Sequence, residues 1–432
     1  MKRLLPFLLL PLALSTASCG SSRGGDGGEI VLEFWAMGSE GEHVAELMPA
    51  FEAEHPGIRV RVQQIPWSAA HEKLLTGYAG RALPDICQLG NTWVPEFAAL
   101  DALVPLDAYV ARSTEVDTSD FFRGIWDTNV VDGQLYGVPW YVDTRLLYYR
   151  SDLLQQAGYS EVPETWAEWL DAMRAIKRQV GPERFAILLP LNEFDPQLVF
   201  GLQSADSLLR DGGRYGNFQS PGFRRAFHFY VQLFREGLAP PATATQIANV
   251  WQEFGNGYFS FYLSGPWNIS EFRTRLPADL QDDWMTAPVP GPNGPGASTA
   301  GGSSLAVFRS SEHPREAWML IEYLTRPDVQ ARFYEMVGDL PARESAWEIP
   351  ALRDNIYATA FRDQLTRARP SPQVPEIERI YQRLREYAEF VVRGQMTEDE
   401  ALAALDRDVD QMLDKRRFLL DRRARASREV GA

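Results

Sequence analysis

Twelve tryptophans stand out among the residues of this chain that could do chemistry. A flat apolar ring with a polar edge is the surface on which a sugar ring stacks, although many tryptophans in any folded chain fill cores. Two of them sit where a strand hands over to the next element. Trp67 directly follows Pro66, and Trp267 directly follows Gly265-Pro266. Each reads as a stacking platform or as plain packing. Trp251 reads as core that borders a site. Glu40 follows the first apolar run and stands close to a helix N-terminus. A carboxylate there accepts two hydroxyls, or compensates the helix dipole. Asn91, with Trp93 close behind, follows the third apolar run and either meets a ligand or caps a helix.

Other chemistries lack their signatures. The chain contains no G-x-x-x-x-G-K-[ST], so it is not itself an ATPase, and no G-x-G-x-x-G, H-E-x-x-H, EF-hand loop, G-x-S-x-G or S-x-x-K. The five histidines (His43, His55, His71, His228 and His313) have no metal-ligand spacing and read as helix-surface residues. No cofactor or metal is expected, and no catalytic residue is assigned. A glycosidase needs only two carboxylates with no fixed spacing, so a secreted glycoside-processing enzyme stands as the alternative to a binding protein. The net charge of −15 repels phosphate backbones and argues against nucleic acid as a partner.

The elements that would position these residues follow an alternating order. With 432 residues and 45% apolar content, the chain is long enough for two or three domains with real cores. Strands are expected at 30–35, 58–65 and 84–89. Helices between them carry Val44, Leu47, Met48 and Phe51 at helical spacing, then 69–78, then 93–100. Alternating strands and helices give an α/β layer with a mainly parallel sheet, which binds ligands where loops leave the carboxyl ends of its strands. After the extended run 137–149 a second α/β unit is expected. It has a Thr165–Glu168 capping box, a strand at 185–191, a helix opened by Ser220-Pro221 and a strand at 258–263. The Pro- and Gly-rich stretch 288–302 reads as a loop, 305–308 as a strand, and the C-terminal region as amphipathic helices. Cys87 falls in a buried strand.

Lys2 and Arg3 precede the apolar run 4–14, the pattern of a secretory signal that is too short to span a membrane. The tract Leu14-Ser15-Thr16-Ala17-Ser18-Cys19-Gly20 resembles a bacterial lipoprotein signal, with Cys19 the acylated new N-terminus; Thr16 departs from the usual branched aliphatic. Residues 1–18 are thus expected as signal peptide and 19–28, rich in Gly and Ser, as a flexible tether.

Signals spread along the body resemble the solute-binding proteins of bacterial sugar importers, of the maltose-binding type. They are Phe34-Trp35-Ala36-Met37-Gly38-Ser39-Glu40-Gly41 and Phe51-Glu52…His55-Pro56-Gly57-Ile58; Pro84-Asp85-Ile86 running into Trp93-Val94-Pro95-Glu96-Phe97; Tyr136-Gly137-Val138-Pro139 through Tyr148-Tyr149-Arg150-Ser151-Asp152; Phe254-Gly255-Asn256-Gly257 through Gly265-Pro266-Trp267; Gly301-Gly302-Ser303; and Leu340-Pro341-Ala342-Arg343. The resemblance implies a two-lobed periplasmic-binding-protein fold (type II), with several hinge crossings and the solute in the cleft between lobes. Crossings would fall at 141–143, 301–303 and 340–343, giving one lobe of 29–141 plus 304–340 and another of 142–303 plus 341–432. It implies a non-enzymatic, monomeric, lipid-anchored subunit outside the cytoplasm, which delivers a mono- or oligosaccharide to two membrane permeases driven by a separate ATPase. Tyr141 and Asp143, Gly301 and Gly302, and Arg343 then join Glu40, Trp67, Asn91 and Trp267 as expected ligand residues. Asp143 reads equally as a salt-bridge partner of Arg145, the glycines as a hinge, and Arg343 as half of a structural ion pair. Related proteins often carry an acidic residue near Asn91.

Overall fold

In a computed structural model of the protein, residues 29–247 and 249–430 are described. The signal segment, Cys19 and the tether lie outside them. Strand Ile30–Met37 buries Leu32, Phe34 and Ala36 on one face. It pairs in parallel with Ile58–Ile65 over its whole length and, on its other side, with Ile86–Gly90. Ile58–Ile65 is the outer strand, so its Arg59, Arg61 and Gln63 face solvent and its alternation is visible in the sequence. The helical run through Val44, Leu47, Met48 and Phe51 buries all four against this sheet, as their spacing requires.

The first sheet has six strands, ordered Leu340–Pro341, Val138–Asp143, Gly301–Val307, Ile86–Gly90, Ile30–Met37, Ile58–Ile65. The parallel strands expected from the strand-helix order form one half. Gly301–Val307 runs antiparallel to both neighbours, and Leu340–Pro341 antiparallel to Val138–Asp143. The sheet is therefore mixed rather than mainly parallel, because the strands carrying the chain back from the second unit enter from the opposite end. The second sheet, Trp284–Ala287, Leu146–Arg150, Phe259–Ser264, Phe185–Leu188, is mixed for the same reason, with one parallel pair.

Helices flank the second sheet. Thr165 caps Trp166–Val180 by accepting from the Glu168 N–H, and Ser220 caps Pro221–Arg235 by accepting from Phe223. Helix Ile377–Val392 buries Ile377, Ile380, Leu384 and Val391, and helix Glu398–Met412 opens with a Thr397–Glu400 capping box.

Three stretches differ from the sequence-based expectation. The region 288–302 is not all loop: Ser298–Thr299 pairs with Ala368–Arg369, and the sheet strand begins at Gly301. The strand Val138–Asp143 keeps residues 142–143 in the first sheet. The segment after Pro341 also stays on the first unit through Glu348, since Arg343 pairs with Asp120 and Trp347 packs edge-on against Phe122 at 5.8 Å. Beyond it, Tyr357 stacks on Trp284 of the second sheet at 4.0 Å.

Candidate functional site

A cavity of about 590 Å³ opens between the two sheets, where the loops leaving their strands face one another. Its floor is built on the first sheet. Gln88 is fully buried in the central strand and accepts from the Met37 N–H at 2.7 Å. Its amide donates to Tyr141 Oη and Ser303 Oγ, each at 3.2 Å, and more weakly to Glu40 Oε1 at 3.5 Å. The Tyr141 hydroxyl donates to Glu40 Oε1 at 2.5 Å and accepts from Ser303 Oγ at 3.0 Å. Three strands thus contribute one polar residue each to hold the Glu40 carboxylate. Burial, and then the neighbouring carboxylates Asp339 and Glu40, push the Tyr141 phenol well above its ordinary value, so it stays a donor.

Glu40 also sits in the first turn of helix Gly38–His43, so dipole compensation and ligand contact are compatible. Asn91 lines the cavity and accepts from Ser304 Oγ at 3.3 Å, while its buried Nδ2 has no partner among the described residues. It does not cap the following helix, Val94–Ala99.

The walls are aromatic. Trp67 opens helix Trp67–Gly80 and packs on Trp93 with ring centres 5.6 Å apart. Trp267 precedes helix Asn268–Arg275 on the second unit. Trp140, Trp169, Trp284 and Trp347 are fully buried, whereas Trp67 and Trp267 are 37% and 46% exposed and both border the cavity. That separates rings open to the cavity from rings used in packing. Trp251 is not on the cavity; its indole donates to Asn268 and Arg275 covers its ring.

Arg145 organises the hinge side. Its guanidinium bridges Asp143 and Asp195, each at 3.0 Å, and lies over the Trp267 ring at 4.8 Å. Burial raises the Asp143 carboxyl, Arg145 pulls it down and Asp195 raises it again, for a net increase. Asp195 begins helix Asp195–Leu202, so the bridge ties the end of a first-sheet strand to a second-unit helix. A methyl on Gly301 would fall 2.2 Å from Asp143 Oδ1, and one on Gly302 only 2.3 Å from the Tyr141 carbonyl oxygen, at a φ of +113°. Both glycines line the cavity, but strand packing alone already demands them.

Arg343 is not on the cavity. It is 6% exposed, donates to Asp120 at 2.6 Å and to the Glu115 carbonyl at 2.9 Å, and covers Phe121. Its expected ligand role gives way to the structural ion pair. The sequence reading missed Asp339, Asp195, Thr92, Glu378 and Tyr381, all on the cavity. Thr92 Oγ1 donates to Glu378 Oε1, joining the first unit to helix Ile377–Val392 at the cleft mouth. Asp339 carries a signal in hindsight, since it directly precedes a crossing strand. Glu378 and Tyr381 carry none, because they arrive from nearly 300 residues away along the chain. Among the described residues, no group of three or more His, Cys, Asp or Glu is arranged to hold a metal ion.

Comparison with known proteins agrees with this geometry. Over 90% of the chain and 99% of its counterpart, the structure superposes on the sugar-binding protein MalE of Xanthomonas citri with a TM-score of 0.88 and 57% identity. In sequence, the chain is 25% identical to the galactooligosaccharide-binding protein of Bacillus subtilis over 91% of this chain and 93% of that one. It is 27% identical to a lipoprotein of Streptomyces antibioticus over 86% and 84%. The pattern described as bacterial extracellular solute-binding protein matches residues 38–331, a span that takes in the cleft floor, both aromatic walls and strands of both sheets. The two-lobed fold and the cleft between its sheets are therefore family features, and the chain belongs to the bacterial extracellular solute-binding proteins.

Proposed function

We propose that the protein is the extracytoplasmic sugar-binding subunit of an ABC importer. In this reading it captures a mono- or oligosaccharide by closure of the two units and releases it unchanged to two membrane permeases served by a separate ATPase. The observation that carries this reading is the placement of two exposed tryptophans, Trp67 and Trp267, on opposite units around one floor of hydrogen-bonded polar groups. Sugars offer apolar C–H faces to rings and hydroxyls to short polar side chains, and this cleft presents both. The relatives named for sugar binding support the same class. The first unit comprises 29–143, 301–340 and the strap to 348; the second comprises 144–300 and the helices after 349. Glu40, Trp67, Asn91, Tyr141, Asp143 and Trp267 are the residues proposed to meet the ligand. The protein acts as a monomer without cofactor, tethered to the cell envelope through Cys19, and no helix among the described residues is long and apolar enough to cross a membrane.

A thermal-shift screen against mono- and oligosaccharides tests the reading. A true ligand at 100 times its dissociation constant stabilises by about 2.7 kcal/mol. The sugar recovered after long incubation should be chemically intact. Catalytic cleavage abolished by Glu40→Gln or Asp143→Asn would instead establish a glycosidase. Intact-mass analysis of protein made in a bacterial host should find lipid on Cys19, and Cys19→Ser should release the body from membranes; unlipidated wild type removes the anchor.

A further inference from the structure

The cleft holds more carboxyl groups than the protein itself supplies partners for. Five carboxylates line the cavity, from Glu40, Asp143, Asp195, Asp339 and Glu378, and Arg145 is the one cation beside them among the described residues. Arg145 is already committed to Asp143 and Asp195, and Glu378 to Thr92. Glu40 and Asp339 remain. Glu40 is 7% exposed, and both of its donors reach the same oxygen, Oε1; Oε2 has no hydrogen bond among the described residues. The Asp339 carboxyl makes no hydrogen bond or ion pair among the described residues, and it borders the same cavity. Burial, then the charges of Glu40 and Asp143, hold the Asp339 carboxyl well above the usual carboxylate range, which favours its neutral, donating form. No metal cage is formed there among the described residues. Carboxylates left short of donors in a partly dry site gain from a ligand that brings hydroxyls or an ammonium group. They repel one that brings another anion.

We propose that Glu40 acts as a charge filter, so that the cleft takes saccharides bearing hydroxyls or a protonated amine at its floor and rejects acidic sugars such as uronates and sulfated or phosphorylated glycans. The filter rests on the sugar-binding reading and names its ligand class, with Glu40 as the specificity-determining residue.

The test is titration calorimetry at pH 7 with the neutral saccharide that binds best and two of its derivatives, one carrying an amine and one a carboxylate. The carboxylate derivative should bind about 100-fold more weakly than the neutral parent, and the amine derivative at least as tightly as the parent. Glu40→Gln should narrow the neutral-to-acidic ratio by about tenfold, with native circular dichroism, whereas Asp339→Asn should leave it within about threefold. Should Glu40→Gln fail to fold, the wild-type ratio alone decides. A carboxylate derivative within about threefold of its parent overturns the filter, as does a ratio unmoved by Glu40→Gln. If no neutral saccharide binds, the sugar reading itself fails and the filter with it; neutral binding without discrimination sinks the filter alone.

Discussion

Trp267 is the residue on which the site turns. Arg145 occupies one side of its ring, and 46% of the residue stays exposed beside the cavity. Stacking a sugar there is worth about 0.5–1.5 kcal/mol beyond the area buried. Trp267→Ala should therefore weaken sugar binding at least tenfold, about 1.4 kcal/mol, with far-UV circular dichroism unchanged. Unaltered affinity, or unfolding, would make the ring packing after all. Glu193 gives a pH signature beside the cleft. Burial, then repulsion from Asp195, pushes its carboxyl up to about 7 from an ordinary 4.5, against the pull of Arg145. Below pH 4.5 it is protonated in both folded and unfolded chains. Between 4.5 and 7 the folded protein keeps a proton that the unfolded chain has lost, so stability falls as pH rises, by at most about 1.4 kcal/mol per unit. Glu193→Gln should remove that loss: its melting temperature should gain on wild type from pH 5 to about 7.5 and then run parallel. A constant gap over that range would contradict the assignment. Residues at strand-to-helix junctions, Glu40, Trp67 and Trp267, were legible in the sequence because such junctions lie at the sheet ends. Arg343 misled because a forked donor looks the same whether it meets a ligand or Asp120, and a sequence separation of 223 hides the pairing.

At the scale of elements, the hinge strand Gly301–Val307 sets the cleft geometry. Gly302 holds a φ of +113°, and an added methyl would strike the Tyr141 carbonyl. Gly302→Ala should lower stability by about 1–3 kcal/mol, read as a fall in urea midpoint at constant slope. Gly158→Ala is the comparison, since it has a similar φ of +94° with nothing within 4 Å. If the two variants unfold alike, crowding at the hinge is not what fixes the glycine. Its second half was expected as a strand at 305–308, but its first half was not. Glycine and proline between 288 and 302 read as a loop, because strand propensity is weak there and pairing with Val138–Asp143 and Ile86–Gly90 overrides it. The helices were clear by contrast. Ile377, Ile380, Leu384 and Val391 recur at helical spacing and are all buried. Periodicity reports the buried face only, which is why Glu378 on the same helix passed unnoticed as a cleft residue.

At the scale of the molecule, the proposed function makes binding and shape change one event. Trp67 and Trp267 belong to opposite units, so a sugar gripped by both favours the closed form. Shifting the population from 1:99 to 99:1 takes about 5.5 kcal/mol of preference for that form. The Thr92–Glu378 hydrogen bond spans the mouth in the same sense. Thr92→Val should therefore raise the sugar concentration needed for closure about two- to tenfold, the net worth of about 0.5–1.5 kcal/mol of one intramolecular hydrogen bond. The alternation of strands and helices made the two units legible from sequence, whereas their mutual placement depends on crossings and on a C-terminal helix whose partners are distant in the chain. The direct measurement is small-angle scattering of the purified protein during titration with the sugar found by screening. The radius of gyration should fall in proportion to occupancy and level off at one sugar per protein, with Trp267→Ala contracting only at higher concentration. A sugar that binds while the scattering curve stays unchanged would contradict capture between the two units.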